Sequence, residues 1–334
     1  MTGTTRVVQY DRYGGPEVLE VRTRPVPEPG PGQVLVRVLA SGLNPKDAVV
    51  RSGAFRLFSG RRFPKSTGFD LAGDVVAVGA GVGGFAAGQR VWGMLDGSEG
   101  GAAADHAVVD AALLGPAPRR LDPVEAAGLP LVGLTALQAL RAAGLRGGQS
   151  VLVKGASGGV GSAAVQLATA AGARVTAVAG PGSQEHCREL GAAAVLDYTR
   201  TDPAELPERF DVVLDCIGAS PLRRYRRILA RGGRLVSIVP SFSVLALSAL
   251  TRFLPGPTVR TVLVRPDRAD LDELAARADA GALRMPVQET FPLERVADAH
   301  GALAERHGRG KRVLLVGLAA RDSDDGTPGT GAAA

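Results

Sequence analysis

The segment VLVKGASGGVGSAAVQLATAAG (151–172) restricts the fold more than any other stretch of this chain. A short apolar run enters a loop with glycines at 155, 158, 159 and 161. It leaves the loop into a stretch that puts Val160, Ala163, Ala164, Leu167, Ala168 and Ala171 on one face. That i, i+3, i+4, i+7 spacing predicts an amphipathic helix. Strand, glycine loop and helix in this order aim unpaired backbone N–H groups and a positive dipole end at whatever lies over the loop, which favours a pyrophosphate. The usual dinucleotide pattern is G-x-G-x-x-G. Here Ala156 holds the place of its first glycine, and Gly155 begins a G-x-x-G-x-x-G spacing instead. Gly158 allows close backbone approach and Gly161 lets the helix pack on the strand. Gly155, Ala156, Ser157, Gly158, Gly159, Val160 and Gly161 form the candidate cradle.

The same rhythm continues downstream. RVTAVA, AAVLDY, FDVVLDCIG, RLVSIV and TVRTVLV (258–264) are further short apolar runs between helical stretches, and SQEHCREL opens with Ser183 as a candidate helix cap. Alternation of this kind predicts a parallel, doubly wound α/β sheet. SPLRRYRRILARGGR (220–234) reads as a helix and its turn, with Leu222, Tyr225 and Leu229 on one face and arginines on the solvated others. Upstream of residue 122 the pattern differs. VLEVRTRPV, QVLVRVLASG, AGDVVAVGAGV, RVWGML and ADHAVVD are short strands between Gly- and Pro-rich turns, as in an antiparallel barrel-like domain. DPVEAAGLP and LTALQALRAAGLRGG then read as helices that stop at glycines. The stretch 286–318 reads as strand, helix, strand, and the polar tail after residue 320 as disordered.

A length of 334 residues suits two domains. The net charge is +6, but no run of five or more basic residues occurs, which argues against a nucleic-acid surface. Two cysteines, Cys187 and Cys216, make no disulfide framework and fall short of the roughly four ligands of a structural zinc site. They point to a reducing cytosol. The N-terminus shows no apolar signal region, and LVSIVPSFSVLALSALTRFL (235–254) is too broken by Pro240 and serines for a membrane span of about 20 predominantly apolar residues. His106, His186, His300 and His307 show no metal-ligand spacing. Cys216 has no visible partner to lower its pKa and is not read as a nucleophile.

The choice of nucleotide turns on the end of the second strand, RVTAVAGPGS. NAD binders place an acidic residue there, about 20 positions after the loop, to hold the ribose 2′-OH. Ala179 and Gly180 occupy this place, so a 2′-phosphate meets no repulsion. Ser183 offers a hydrogen bond, and Arg188, Arg306 or Arg309 a positive charge. The expected cofactor is NADPH.

With these pieces in hand, the chain resembles the zinc-independent quinone oxidoreductase (zeta-crystallin-like) branch of the medium-chain dehydrogenase/reductase superfamily. The resemblance runs from about residue 5 to 318. It rests on YGGPEVLE, ASGLNPKDAVVRSG, GFDLAGDVVAVGAGV, GGAAADHAVV, AAGLPLVGLTALQAL, the glycine loop, LGAAAVLDY, DVVLDCIG and GRGKRVLLV. The later segments VSIVPSF and ETFPLERVADAH are also similar to the mitochondrial reticulon-interacting quinone reductases. The resemblance implies a Rossmann domain (122–290) inserted into a GroES-like β-barrel catalytic domain (1–121 plus 291–319), and a homodimer through the Rossmann sheet edge at 258–264. The three catalytic zinc-ligand positions of zinc-dependent relatives correspond to Asn44, Phe69 and Leu131, whose side chains cannot ligate zinc.

Without a Lewis acid, a conjugated acceptor such as a quinone or enone is the tractable substrate: hydride goes to its electrophilic carbon and the charge delocalises onto oxygen. The tyrosine that quinone reductases of the branch carry in the segment matching DAVVRSG is Val49 here. Asn44, Lys46, Asp47 and Thr135 are the candidate catalytic residues, with Asn44 and Thr135 also able to fix the cofactor. Lys46 could donate to an oxyanion but reads more readily as a solvated lysine, and Asp47 and Asp70 are readable as loop caps or braces. By resemblance Tyr198 flanks the adenine, Ile217, Gly218 and Val239 line the nicotinamide pocket, and Lys311 is a further cofactor candidate. Val49, Phe69, Leu131 and Phe242 are assigned to the substrate pocket. The branch also contains enoyl reductases acting on polyketide-like substrates. The competing expectation is an NADPH-binding structural or nucleic-acid-binding protein with little catalysis.

Overall fold

The computed structural model describes residues 3–97, 99–218, 222–253, 256–304 and 308–318. Sixteen strands run in chain order among the described residues. Β-rich folding begins with β1 (Thr4–Tyr10), β2 (Glu20–Pro25), β3 (Gln33–Gly42), β4 (Lys65–Ser66), β5 (Asp70–Val78), β6 (Arg90–Met94), β7 (His106–Asp110) and β8 (Leu114–Pro116). The middle of the chain supplies β9 (Ser150–Lys154), β10 (Arg174–Ala179), β11 (Ala194–Asp197), β12 (Phe210–Asp215), β13 (Leu229–Ser237) and β14 (Thr258–Thr261). The chain closes with β15 (Val287–Pro292) and β16 (Lys311–Leu315).

The middle strands form one six-stranded sheet in the order β11-β10-β9-β12-β13-β14, parallel throughout. This is the doubly wound order, with its switch point beside β9, so the crevice lies at the carboxyl end of β9, where the glycine loop emerges. Val151, Leu152, Val153, Val212, Val213 and Leu214 of the two central strands are fully buried, as strands covered on both faces must be. The larger barrel-side sheet runs β15-β16-β3-β5-β6-β8, with β7 also paired to β3. Its ladders are antiparallel except for β15 with β16, which pair in parallel. The fold is thus a Rossmann sheet inserted in a GroES-like barrel, and the last strand, β16, lies beside β3.

Several expectations needed correction. The predicted helix over 220–234 is helical only at Leu222–Tyr225, and Leu229 opens β13 opposite Phe210. Tyr225 and Leu229 are both buried, but the apolar spacing is satisfied by a strand joining the sheet rather than by a helix face. Ser183 stands at the start of helix Gln184–Glu189, yet its side chain makes no capping bond. The edge strand ends at Thr261 rather than 264. The two helices after residue 122 nearly fuse, because Pro130 starts Pro130–Ala143 directly after Pro123–Gly128. No helix among the described residues is long and apolar enough to cross a membrane. His307, Arg306 and the tail after residue 318 lie outside the described residues.

Candidate active site

The glycine loop is shaped by what a side chain would strike. Gly155 sits at φ +74°, and a Cβ there would meet Ile217 at 2.6 Å. A Cβ on Gly161 would overlap the carbonyl oxygen of Gly155. Both positions are closed by the protein itself. Gly158 differs: a Cβ there would come no nearer than 3.6 Å to the chain, so its outer side is open. Gly158 is also the N-cap of helix Gly159–Ala170, and no side chain caps that helix. Ala156 is buried, with its N–H and that of Gly155 both donating to Val178 O at 3.1 Å. From the far side Gly310 N donates to Ser157 O at 2.8 Å, so the segment leading into β16 pins the loop. An open glycine at an uncapped helix start fits a dinucleotide pyrophosphate.

Across the cleft, a buried network joins three elements. Asn44 precedes the short helix Pro45–Arg51, Asp70 starts β5 and Lys311 starts β16. Asn44 Nδ2 donates to Asp70 Oδ2 at 2.9 Å and to Gly42 O at 3.3 Å. Lys311 Nζ donates to Asn44 Oδ1 at 2.5 Å and Leu43 O at 2.6 Å, and lies 3.7 Å from Asp70 Oδ2. Asp70 Oδ1 accepts from Leu131 N at 2.9 Å. Burial pushes the Asp70 carboxyl up to about 6, against the pull of Lys311, Asn44 and the Leu131 amide. Burial likewise lowers the Lys311 pKa, opposed by Asp70 and Asp47. Asp47 is equally committed: it accepts from Asn44 N at 2.9 Å, Thr67 Oγ1 at 3.0 Å and Gly68 N at 2.8 Å.

These bonds sort the candidates. Asn44, Asp47 and Lys311 are buried, and their polar atoms hold the wall of the site together rather than reach into it. Thr135 donates to Leu131 O at 2.6 Å and keeps its acceptor lone pairs. Lys46 is different. Its ammonium lies 3.9 Å from the Phe69 ring centroid, and among the described residues no carboxylate is within ion-pair distance of it. Burial lowers its pKa while Asp47, Asp70 and Asp96 raise it. Val49 follows one turn later on the same helix and is 40% exposed. Ile217 and Val239 are exposed at the carboxyl ends of β12 and β13. Their turns are set by Asp215, which accepts from Ile217 N and Gly218 N at 3.0 and 3.1 Å, and by Ser237, which accepts from Val239 N at 3.4 Å. Phe69 and Leu131 are buried, whereas Phe242 is 90% exposed.

At the end of β10, Tyr198 stands beside Gly180: a Cβ on Gly180 would lie 3.4 Å from its hydroxyl. Ser183 is buried next to it, with its N–H on Gly180 O at 3.0 Å. Arg188 pairs with Glu185 at 3.0 Å, while the positive charges of Arg309 and Arg284 reach His186 on the same helix. Burial and Asp215 hold the Cys216 thiol well above the ordinary thiol range, away from nucleophile chemistry.

A family model described as "Alcohol dehydrogenase GroES-like domain" matches residues 30–119, and one described as "Zinc-binding dehydrogenase" matches 190–314. The chain is 34% identical to a chloroplast envelope quinone oxidoreductase homolog of Arabidopsis thaliana, covering 92% of this chain and 97% of that protein. The chain belongs to the zinc-independent quinone oxidoreductase branch of the medium-chain dehydrogenase/reductase superfamily. This quinone oxidoreductase family member is also 34% identical to the chloroplastic NADPH-dependent alkenal/one oxidoreductase of Arabidopsis thaliana, over 91% of this chain and 78% of that one. The solved quinone oxidoreductase from Coxiella burnetii superposes with a TM-score of 0.86 at 28% identity, covering 94% and 100% of the two chains. The protein is an oxidoreductase of a family that works with nicotinamide dinucleotides.

Sequence reasoning undervalued Asp70, which ties Asn44, Leu131 and Lys311 into one unit. It also missed Asp215 and Ser237, which shape the pocket turns. The acid at the end of β12 was visible in FDVVLDCIG, but only the tertiary bonds show what it holds.

Proposed function

We propose that this quinone oxidoreductase family member reduces a conjugated acceptor, a quinone or an α,β-unsaturated ketone, at the expense of NADPH and without a catalytic metal. The observation that carries this reading is the Asn44–Asp70–Leu131 unit. The positions that bind zinc in zinc-dependent relatives are locked together here by hydrogen bonds, and they present an amide, a ring and an alkyl group. When bound, the reduced nicotinamide supplies hydride. The chain's residues would hold it as follows. The uncapped loop at Gly155–Gly161 takes the pyrophosphate. Thr135, Ile217, Gly218 and Val239 bound the nicotinamide. Gly180, Ser183 and Tyr198 receive the adenosine end, and Arg309 supplies charge to the 2′-phosphate. Asn44 and Lys311 position the floor of the site. The acceptor lies against Val49, and the relatives' printed activities on quinones and alkenals or enones support this substrate class.

We also place the domain divide at residues 121–122. The chain returns to the catalytic domain at about residue 291, within β15 (Val287–Pro292). A homodimer through the free side of β14 and a reducing, cytosolic setting complete the reading. The test is incubation with NADPH and a panel of quinones, cyclic enones and an enoyl thioester, followed by loss of NADPH absorbance. Turnover of quinones or enones, with NADH a poorer donor, is the expected result. Tight NADPH binding with no turnover of any acceptor would favour a binding protein instead.

A further inference from the structure

We propose that Lys46 is the electrophile of this site, its ammonium donating a hydrogen bond to the oxyanion that develops on the acceptor. The inference rests on the reductase reading above and names the group that does the work of the missing metal.

Three observations converge on this residue. Asp70 binds both Asn44 and the Leu131 amide, so two of the three metal-ligand positions are gathered at one carboxylate, and Phe69, the third, is its neighbour in the chain. The Lys46 ammonium lies on the face of that Phe69 ring, 3.9 Å from its centroid. The charge therefore lies against the side chain at one of the three positions that hold zinc in metal-dependent relatives. Next, Lys46 is not spent. Lys311, the other lysine of the site, is fully committed to Leu43 O, Asn44 Oδ1 and Asp70. Lys46 has only the ring, and an aromatic face holds an ammonium without consuming its outward N–H donors. Finally, its surroundings suit one polar contact to an otherwise apolar acceptor. Val49 lies one turn along the same helix, and Ile217 and Val239 are exposed apolar side chains at the crevice end of the sheet. A partly desolvated cation interacts more strongly with a developing negative charge than one in water does.

The chemistry balances without a metal. Hydride adds at the electrophilic carbon of the enone, the C=C π pair shifts towards the carbonyl, and the carbonyl oxygen takes the negative charge. Lys46 stabilises that charge through N⁺–H···O⁻, keeping its proton. Water then protonates the α-carbon, leaving the saturated ketone and hydroxide, which bulk solvent neutralises. A quinone follows the same course to a hydroquinone anion, whose charge is already delocalised over an aromatic ring. The dependence on Lys46 therefore rises with the basicity of the oxyanion.

The test compares wild type, Lys46→Met and Lys46→Arg. Methionine keeps a long apolar side chain over Phe69, and arginine keeps the charge. The expected result is a fall of about 10²-fold in kcat for a cyclic enone in Lys46→Met, a smaller fall for a simple quinone, little change in KM, and partial recovery in Lys46→Arg. A second readout needs no turnover: 4-nitrophenol, bound with oxidised cofactor, should show the phenolate absorption in wild type below its solution pKa and lose it in Lys46→Met. A folded Lys46→Met that keeps wild-type kcat on both acceptors and the same phenolate band overturns the inference. Absence of wild-type turnover on every acceptor would strike the reductase reading instead, and the phenolate band would still report on Lys46.

Discussion

At the scale of single residues, the site is governed by how buried charge is neutralised. Asp70 and Lys311 are both almost inaccessible, and each is tolerable only because the other is there, with Asn44 and Leu131 N completing the bonds. Removing one partner of such a pair strands the other and typically costs about 3–5 kcal/mol. Lys311→Met and Asp70→Asn should each destabilise strongly. The double variant should lose less than the sum, a coupling read by denaturant unfolding of all four proteins. His300 makes a second prediction. It is 2% exposed, and among the described residues neither ring nitrogen has a hydrogen-bond partner. Burial lowers its pKa from 6.5 to about 4, with Arg51 acting in the same sense and Asp47 against it. Between those pH values the unfolded chain binds a proton that the folded chain does not. The stability from this group is therefore fully present above pH 6.5 and declines as pH falls towards 4, by about 3 kcal/mol at most. Urea unfolding across that range should show a steeper pH dependence for wild type than for His300→Leu. Equal slopes would mean that His300 is not held neutral.

At the scale of elements, the glycine loop separates positions that the protein closes from positions left open for a ligand. Gly161→Ala drives a methyl group into the Gly155 carbonyl oxygen, so it should lower stability by about 1–3 kcal/mol and weaken NADPH binding. Gly158→Ala meets no such neighbour, and its φ of −76° suits alanine. It should leave the apo protein within about 0.5 kcal/mol of wild type while reducing NADPH affinity about tenfold. Thermal unfolding without cofactor and fluorescence titration with NADPH check both. The loop was legible because its three parts are contiguous and each obeys a local rule. The helix predicted over 220–234 shows the opposite case. The spacing of Tyr225 and Leu229 is compatible with burial in either a helix or a strand approach, and Leu229 was captured by its ladder with Phe210. Short apolar spacings do not discriminate between those outcomes; sheet pairing does.

At the scale of the whole molecule, two surfaces remain to be accounted for. Among the described residues β14 is the outermost strand of the six-stranded sheet; its Val259 N donates to Thr251 Oγ1 at 3.0 Å, and Leu263 just beyond the strand is 62% exposed. Alongside runs a cavity of about 580 Å³ lined by Gln138, Arg141, Thr261, Arg265 and Asp270, remote from the glycine loop. Unpaired edges are prone to association, and a second copy pairing β14 with β14 would remove this one. Sedimentation velocity should give twice the chain mass, and Leu263→Asp should shift the protein towards monomer. A monomeric wild type would exclude the dimer. The second surface lies where β16 pairs with β3 and its first residue, Lys311, reaches Leu43 and Asn44.

The sequence by itself determined the Rossmann rhythm, the glycine cradle, the missing acid at Ala179–Gly180 and the absence of metal-binding side chains at positions 44, 69 and 131. Each of these is carried by residue type within a short span, where backbone periodicity, glycine geometry and ligand chemistry act locally. Only the tertiary structure decided that Asn44, Asp47 and Lys311 are bound up in buried hydrogen bonds while Lys46 lies over the Phe69 ring. Those four share polar chemistry and differ only in which partners, up to 268 residues away in the chain, satisfy them. Burial and hydrogen-bond satisfaction are properties of the folded packing, so no spacing along the chain could rank one polar residue above another.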